Sequence, residues 1–202
     1  LTGLLMGLAF LFRFQVALMI VGFFLWLVFI RRSGFKPMGL FSLGLVLPVL
    51  AGTLSDRWFY GHWVITPYRY FTENLVAGRA ATFGVSPWYY YITETFMNAI
   101  PPFSLVFIAA VFLWILFRPK DPVTWSLVPF LLAHFIIGHK EIRFMFPIIG
   151  FLPLMMAGGW AFLAGKYGER LTAGRAVRWS VASFWYVNLA MTAILVFRPA
   201  DS

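Results

Sequence analysis

Residues 14–34 read FQVALMIVGFFLWLVFI from Phe14 to Ile30, followed by Arg31, Arg32, Ser33 and Gly34. Seventeen residues in which Gln15 is the one strongly polar side chain make a helix about 25 Å long, close to the roughly 30 Å of bilayer hydrocarbon. Two cations and a turn former cannot stay in that medium, so the run ends where they begin. It reads as a membrane-crossing helix.

The same pattern recurs along the chain. Pro37 to Leu54 forms a second run, and Pro101 to Phe117 a third, closed by Arg118, Pro119, Lys120 and Asp121. Pro122 to Gly138 is the fourth, Phe144 to Ala164 the fifth and Trp179 to Phe197 the sixth. Leu1 to Phe12 is apolar but too short to span alone, and reads as the end of an earlier span or an interfacial segment. Gly165 to Arg178 is polar enough for a short surface helix. The expectation is an all-α, polytopic integral membrane protein with about six transmembrane helices. Gly3 and Gly7 form a GxxxG pair, but in a chain with 17 glycines it reads as background rather than a dimer face.

Composition agrees. The chain is 61% hydrophobic and 11% charged, against about a quarter charged in a soluble domain, so lipid is its solvent. A net charge of +9 raises nucleic acid as a partner. The cations, however, lie in short clusters between apolar runs, the pattern of membrane orientation and not of nucleic-acid binding. There is no cysteine, which excludes disulfides and thiolate chemistry. The chain opens at Leu1 rather than Met, and an upstream portion is expected.

Alternating the six runs collects Arg31, Arg32, Lys36, Arg118, Lys120, Lys166, Arg170, Arg175 and Arg178 on one side. By the positive-inside rule that side is cytoplasmic. The other side receives the loop 55–100 and residues 139–143, where Asp56, Glu73, Glu94 and Glu141 nearly balance the cations. Any chemistry is expected there, on the extracytoplasmic face.

The long outer loop mixes Trp58, Phe59, Tyr60, His62, Trp63, Tyr68, Tyr70, Phe71 and Trp88 to Tyr91 with Arg57, Arg69 and Arg79. An aromatic belt at the headgroup level accounts for most of these rings. A substrate loop accounts for the mixture, with rings against sugar or prenyl groups and cations against phosphate. The second feature is His139-Lys140-Glu141-Ile142-Arg143-Phe144. Each charge near mid-membrane costs about 2.5–3.5 kcal/mol on insertion scales, so four ionisable groups in succession need a return. An interfacial cap with snorkelling cations is one account and a binding site the other. One His and one Glu fall short of a metal ligand set.

These residues resemble a family. His139-Lys140-Glu141-x-Arg143-Phe144-x-x-Pro147 is similar to the HKExRFxxP signature of the Alg9/PIG-B type mannosyltransferases, the GT-C fold enzymes of glycosyltransferase family 22. Asp56, Tyr60-Gly61, Trp63, Pro67, Asn74, Gly84, Pro87-Trp88 and Tyr91 resemble the family's outer segment. The matches cover roughly residues 14–153. Where family members often carry a second proline three residues after Pro147, this chain has Gly150, with Pro153 the next proline.

The resemblance implies a partial GT-C-type fold in which residues 1–202 form the C-terminal part of one membrane-embedded glycosyltransferase domain. It implies transfer of a mannose-like sugar from a polyprenyl or dolichyl phosphate donor to a glycan or glycolipid acceptor. Lys140 and Arg143 are then expected on the donor phosphate, with His139 as a further donor and Arg69, His62 and Arg13 with Gln15 as weaker candidates. Glu141 is expected to orient Arg143. Asp56, Tyr60, His62, Trp63, Asn74 and Trp88 are the substrate-loop candidates. The family's catalytic acid belongs to an earlier outer loop that Asp56 does not match, so this portion alone is expected to be inactive. No metal and no cofactor is expected. The membrane is a bacterial inner membrane or that of the endoplasmic reticulum; no N-x-S/T sequon occurs in the outer loops, which leans slightly toward the former. A multi-pass transporter or lipid flippase is the alternative, and it would call for polar groups near mid-membrane and repeated halves.

Overall fold

The computed structural model describes residues 1–99, 103–168 and 174–197, and every regular element among them is helical. The helices are α1 (Thr2–Phe12), α2 (Ala17–Phe29), α3 (Phe35–Tyr60), α4 (Thr66–Phe71), α5 (Tyr90–Asn98), α6 (Phe103–Phe117), α7 (Pro122–Ile136), α8 (Phe146–Ile149), α9 (Leu152–Tyr167) and α10 (Arg175–Phe197). Short 3-10 turns cover Phe14–Val16, Arg79–Phe83 and Ile142–Met145, and a π-helical turn covers Thr72–Val76. The chain divides into two units, Leu1–Met156 and Ala157–Ser202.

Within the first unit the glycines of α1 bring two backbones together. A Cβ on Gly3 would overlap the Phe41 carbonyl oxygen, and one on Gly7 would lie 2.6 Å from the Leu45 carbonyl oxygen. Leu11 meets Gly52 farther along, so α1 runs parallel to α3. The GxxxG pair is therefore an internal packing face, correcting its reading as background: small residues let helices approach where lipid offers no hydrophobic drive between them. Residues 1–12 form a helix packed along α3.

The chain reverses at Arg13, whose extended backbone separates α1 from α2. Helix α2 returns antiparallel to α7. Gly22 packs on the Trp125 carbonyl and Pro129, and the Trp26 indole donates to the Lys120 carbonyl at 2.8 Å. Arg31 lies over Trp26 and Arg118 over Trp114, while Phe29 meets Trp125. The clusters around Arg31 and around Lys120, ninety residues apart in sequence by rough count, thus share one basic end of the unit. Asp121 starts α7 by accepting from the Val123 N–H, with Pro122 in the first turn, as the sequence leads one to expect. The core between α2, α6 and α7 contains Met19, Trp114, Leu127, Phe130, Ile148 and Met155.

Helix lengths differ from the apolar runs. Only α3 is long and apolar enough to cross a bilayer alone; α6 with α7, and residues 142–149 with α9, pass as bent pairs, giving one to three candidate spans among the described residues. Helix α3 runs six residues beyond Leu54, so Ser55 to Tyr60 are helical and not loop. Helices α6 and α7 have 15 residues each and meet at 118°; each is about 22 Å long, short of the hydrocarbon thickness. Pro101 and Pro102, at the start of the third run, lie outside the described residues. The fifth run breaks at Gly150 and Phe151, between Pro147 and Pro153, because two ring nitrogens remove helical donors there.

Gly168 has φ +70° after α9, and α10 begins four residues before the expected Trp179. The expected surface helix over residues 165–178 falls partly on 169–173, outside the described residues.

Candidate functional site

The motif sits at the end of the first unit opposite the basic clusters, in the connection from α7 to α8. Helix α7 ends at Ile137, which is extended, and a bent, non-helical connection leads to Glu141, also extended, before the 3-10 turn Ile142–Met145. Lys140 points inward there, while the His139 side chain is 12% and the Glu141 side chain 32% exposed. Lys140 is 7% exposed and donates to the Ile137 carbonyl, closing the C-terminal end of α7. Burial pushes its ammonium pKa down.

Glu141 links its two neighbours. Its carboxylate pairs with the Arg143 guanidinium through Nε, with a second contact from Nη2 to Oε1 at 3.0 Å, and lies 3.1 Å from His139 Nε2. The Arg143 hydrogen bonds hold the Glu141 carboxyl below the usual carboxylate range; partial burial opposes this and His139 adds to it. The Arg143 side chain remains 62% exposed. A bidentate arginine that is still open to solvent keeps donors for an incoming anion.

The outer loop docks on the motif through its backbone. His139 Nδ1 lies 3.0 Å from the Gly84 carbonyl, and the Ser86 N–H donates to the Gly138 carbonyl at 2.9 Å. Gly84 has φ +104° and ψ 155°, a region open essentially to glycine alone. Phe83 and Phe144 flank the imidazole at ring separations of 6.0 and 5.9 Å. Beneath, Tyr91 of α5 is 4% exposed and packs against His134 and Phe135. Its hydroxyl makes no hydrogen bond of good geometry, and burial pushes the phenol up to about 12 despite the Glu141 main chain beside it.

Arg13 also reaches this end. Its Nη1 donates to the Arg143 carbonyl at 2.5 Å, and its guanidinium lies 5.3 Å from the centre of the Phe146 ring. Gln15, two residues on, lies 3.4 Å from the Tyr70 hydroxyl, and Phe14 packs on the same ring.

The other expected site residues stand apart. Asp56 accepts from the Thr66 hydroxyl at 2.5 Å, bridging the turn from α3 to α4. Arg57 lies over Trp63 and donates to the Gly61 carbonyl, and His62 Nδ1 faces the Tyr60 carbonyl at 2.9 Å. Asn74 donates to Tyr70 within its own helical segment, and Trp88 meets Tyr89 edge-on. Among the described residues, no hydrogen bond or ion pair joins Asp56, Tyr60, His62, Trp63, Arg69, Asn74 or Trp88 to the motif. The Gly84 carbonyl and the buried Tyr91 were not foreseen as partners of the motif. The only sequence signal for them was their place in the outer segment that resembles the family.

The chain is 32% identical over 111 residues to the mannosyltransferase APTG1 of Arabidopsis thaliana, covering 54% of this chain and 19% of that protein. It is 34% identical over 136 residues to GPI mannosyltransferase 3 of Trypanosoma brucei brucei, covering 59% of this chain and 24% of that one. A probable Dol-P-Man:Man(7)GlcNAc(2)-PP-Dol alpha-1,6-mannosyltransferase of Schizosaccharomyces pombe is 28% identical over 162 residues, 79% of this chain and 29% of its own length. The chain thus spans 19% to 29% of the length of these relatives. No solved structure matches it. With residues 1–198 matching the family as a whole, the chain belongs to the Alg9-like mannosyltransferase family.

Proposed function

We propose that this chain forms the donor-phosphate end of a membrane-embedded mannosyltransferase that takes its sugar from a polyprenyl or dolichyl phosphate. The acceptor is a hydroxyl of a glycan or glycolipid at the extracytoplasmic face. The apolar runs cross the bilayer six times, with the basic end cytoplasmic and the motif outside. The observation that carries the reading is the exposed Arg143 guanidinium, held by Glu141 beside the His139 imidazole.

The chemistry asks for charge on the leaving group. As the acceptor oxygen attacks the anomeric carbon and passes its proton to the catalytic carboxylate expected in an earlier outer loop, the bond from that carbon to the phosphate oxygen breaks and the lipid phosphate gains negative charge. Arg143 donates to that phosphate as it departs, an interaction stronger in the transition state than before it, and His139 joins it by exchanging its Nε2 contact with Glu141 for the phosphate. Glu141 orients Arg143 and is unsuited to take the acceptor proton, since Oε1 receives both His139 and Arg143 and its carboxyl pKa is held low. Lys140 adds positive charge from beneath while closing α7. Arg69 and the substrate-loop residues Asp56, Tyr60, His62, Trp63, Asn74 and Trp88 are the side chains of the outer loop offered to sugar and prenyl groups.

The test is transfer of mannose from a polyprenyl-phosphate donor by the complete protein in membranes. Arg143→Ala is expected to lower it by about 100-fold or more, the usual cost of losing such a donor, with membrane insertion intact. Unchanged transfer would remove the phosphate assignment.

A further inference from the structure

Arg13 and Arg143 are 130 residues apart and touch through a main-chain atom. The Arg143 carbonyl accepts twice: from the Phe146 N–H, which closes the 3-10 turn, and from Arg13 Nη1. The second bond is charge-assisted, and the Arg13 guanidinium is also held over the Phe146 ring. Arg13 itself is fixed by the break between α1 and α2. Its backbone is extended there, and the residues that follow pack on Tyr70 of the outer loop. One residue therefore ties the α1–α2 corner to the turn from which the Arg143 side chain projects.

We infer that Arg13 is a positioning residue for the donor site, acting through the Arg143 backbone rather than by holding the phosphate itself. The inference rests on the donor-site reading above. A guanidinium spent on a carbonyl and an aromatic face fixes the direction in which Arg143 leaves the turn. A misplacement of about 1 Å at such a point is enough to cost on the order of 100-fold in rate.

The experiment is a double-mutant cycle in the complete protein, reading kcat/KM for a polyprenyl-phosphate-mannose donor. Arg13→Met keeps the apolar stem over Phe146 and removes the donors. It is expected to lower kcat/KM about 10-fold alone, but less than about 2-fold in an Arg143→Ala background, because residues acting as one unit are not additive. Arg13→Lys, which still donates to a carbonyl, is expected to restore most of the loss. Equal losses in both backgrounds would mean that Arg13 meets the donor itself or merely supports folding, and would overturn the inference. So would full activity of Arg13→Met. No effect of Arg143→Ala would instead overturn the donor-site reading, which keeps the two failures distinct.

Discussion

His139 stands between two acceptors, the Gly84 carbonyl 3.0 Å from Nδ1 and the Glu141 carboxylate 3.1 Å from Nε2. Both are satisfied together only when both ring nitrogens carry hydrogen. The imidazole thereby joins the outer loop to the motif and holds the ion pair of Glu141 with Arg143 from its other side.

That junction depends on the Gly84 backbone. Its φ of +104° would be strained for any side chain, so Gly84→Ala is expected to cost about 1–3 kcal/mol. It is also expected to slow transfer by releasing His139. Thermal unfolding in detergent and the transfer assay check the two parts separately; unchanged values in both would mean the loop is not held by this contact.

Glu141 predicts a particular pH dependence. Its pKa is lowered in the folded protein, chiefly by Arg143 and further by His139. The unfolded chain therefore binds a proton first as pH falls. The stabilisation is present in full above the unfolded carboxylate value of about 4.3 and is lost as pH drops through the lower folded value. Glu141→Gln should remove this component of the acid limb. Unfolding curves of both proteins between neutral pH and strong acid decide it, and superimposable acid limbs would contradict the pairing.

The contact of α1 with α3 gives a contrast between two glycines. A Cβ on Gly7 would lie 2.6 Å from the Leu45 carbonyl oxygen, while one on Gly39 meets nothing within 4 Å. Gly7→Val should destabilise by about 1–3 kcal/mol through overpacking. Gly39→Ala, in an open helical position, should be neutral or stabilise by up to about 1 kcal/mol. Similar melting shifts for the two would speak against the close helix pair.

Orientation is testable because the chain has no cysteine. Lys36→Cys at the basic end and Ala81→Cys in the outer loop, both exposed positions, should react with a membrane-impermeant maleimide from opposite sides of sealed vesicles. Labelling of both from one side would reverse or reject the proposed topology.

Much of this was legible along the chain, and some was read differently. The apolar character of the runs, their basic ends and the start of α7 at Asp121 and Pro122 all follow from local chemistry. The motif was legible as well, since four ionisable side chains beside hydrocarbon need an explanation wherever they occur. The break at Gly150 was visible only as a missing proline. The burial of Lys140 could not be read, because an irregular connection and a continued helix point the same residue in different directions.

What the sequence determined by itself was solvent, family and the motif, because hydrophobicity, charge and motif spacing are carried by side-chain identity. What only the tertiary structure decided was partnership: Gly3 and Gly7 on α3, Arg13 on the Arg143 carbonyl, and His139 on the Gly84 carbonyl. Each of these contacts ends on a main-chain atom. The backbone carbonyl is the same in every residue, so nothing in the order of side chains marks which one will be met. Only packing the helices brings it within reach.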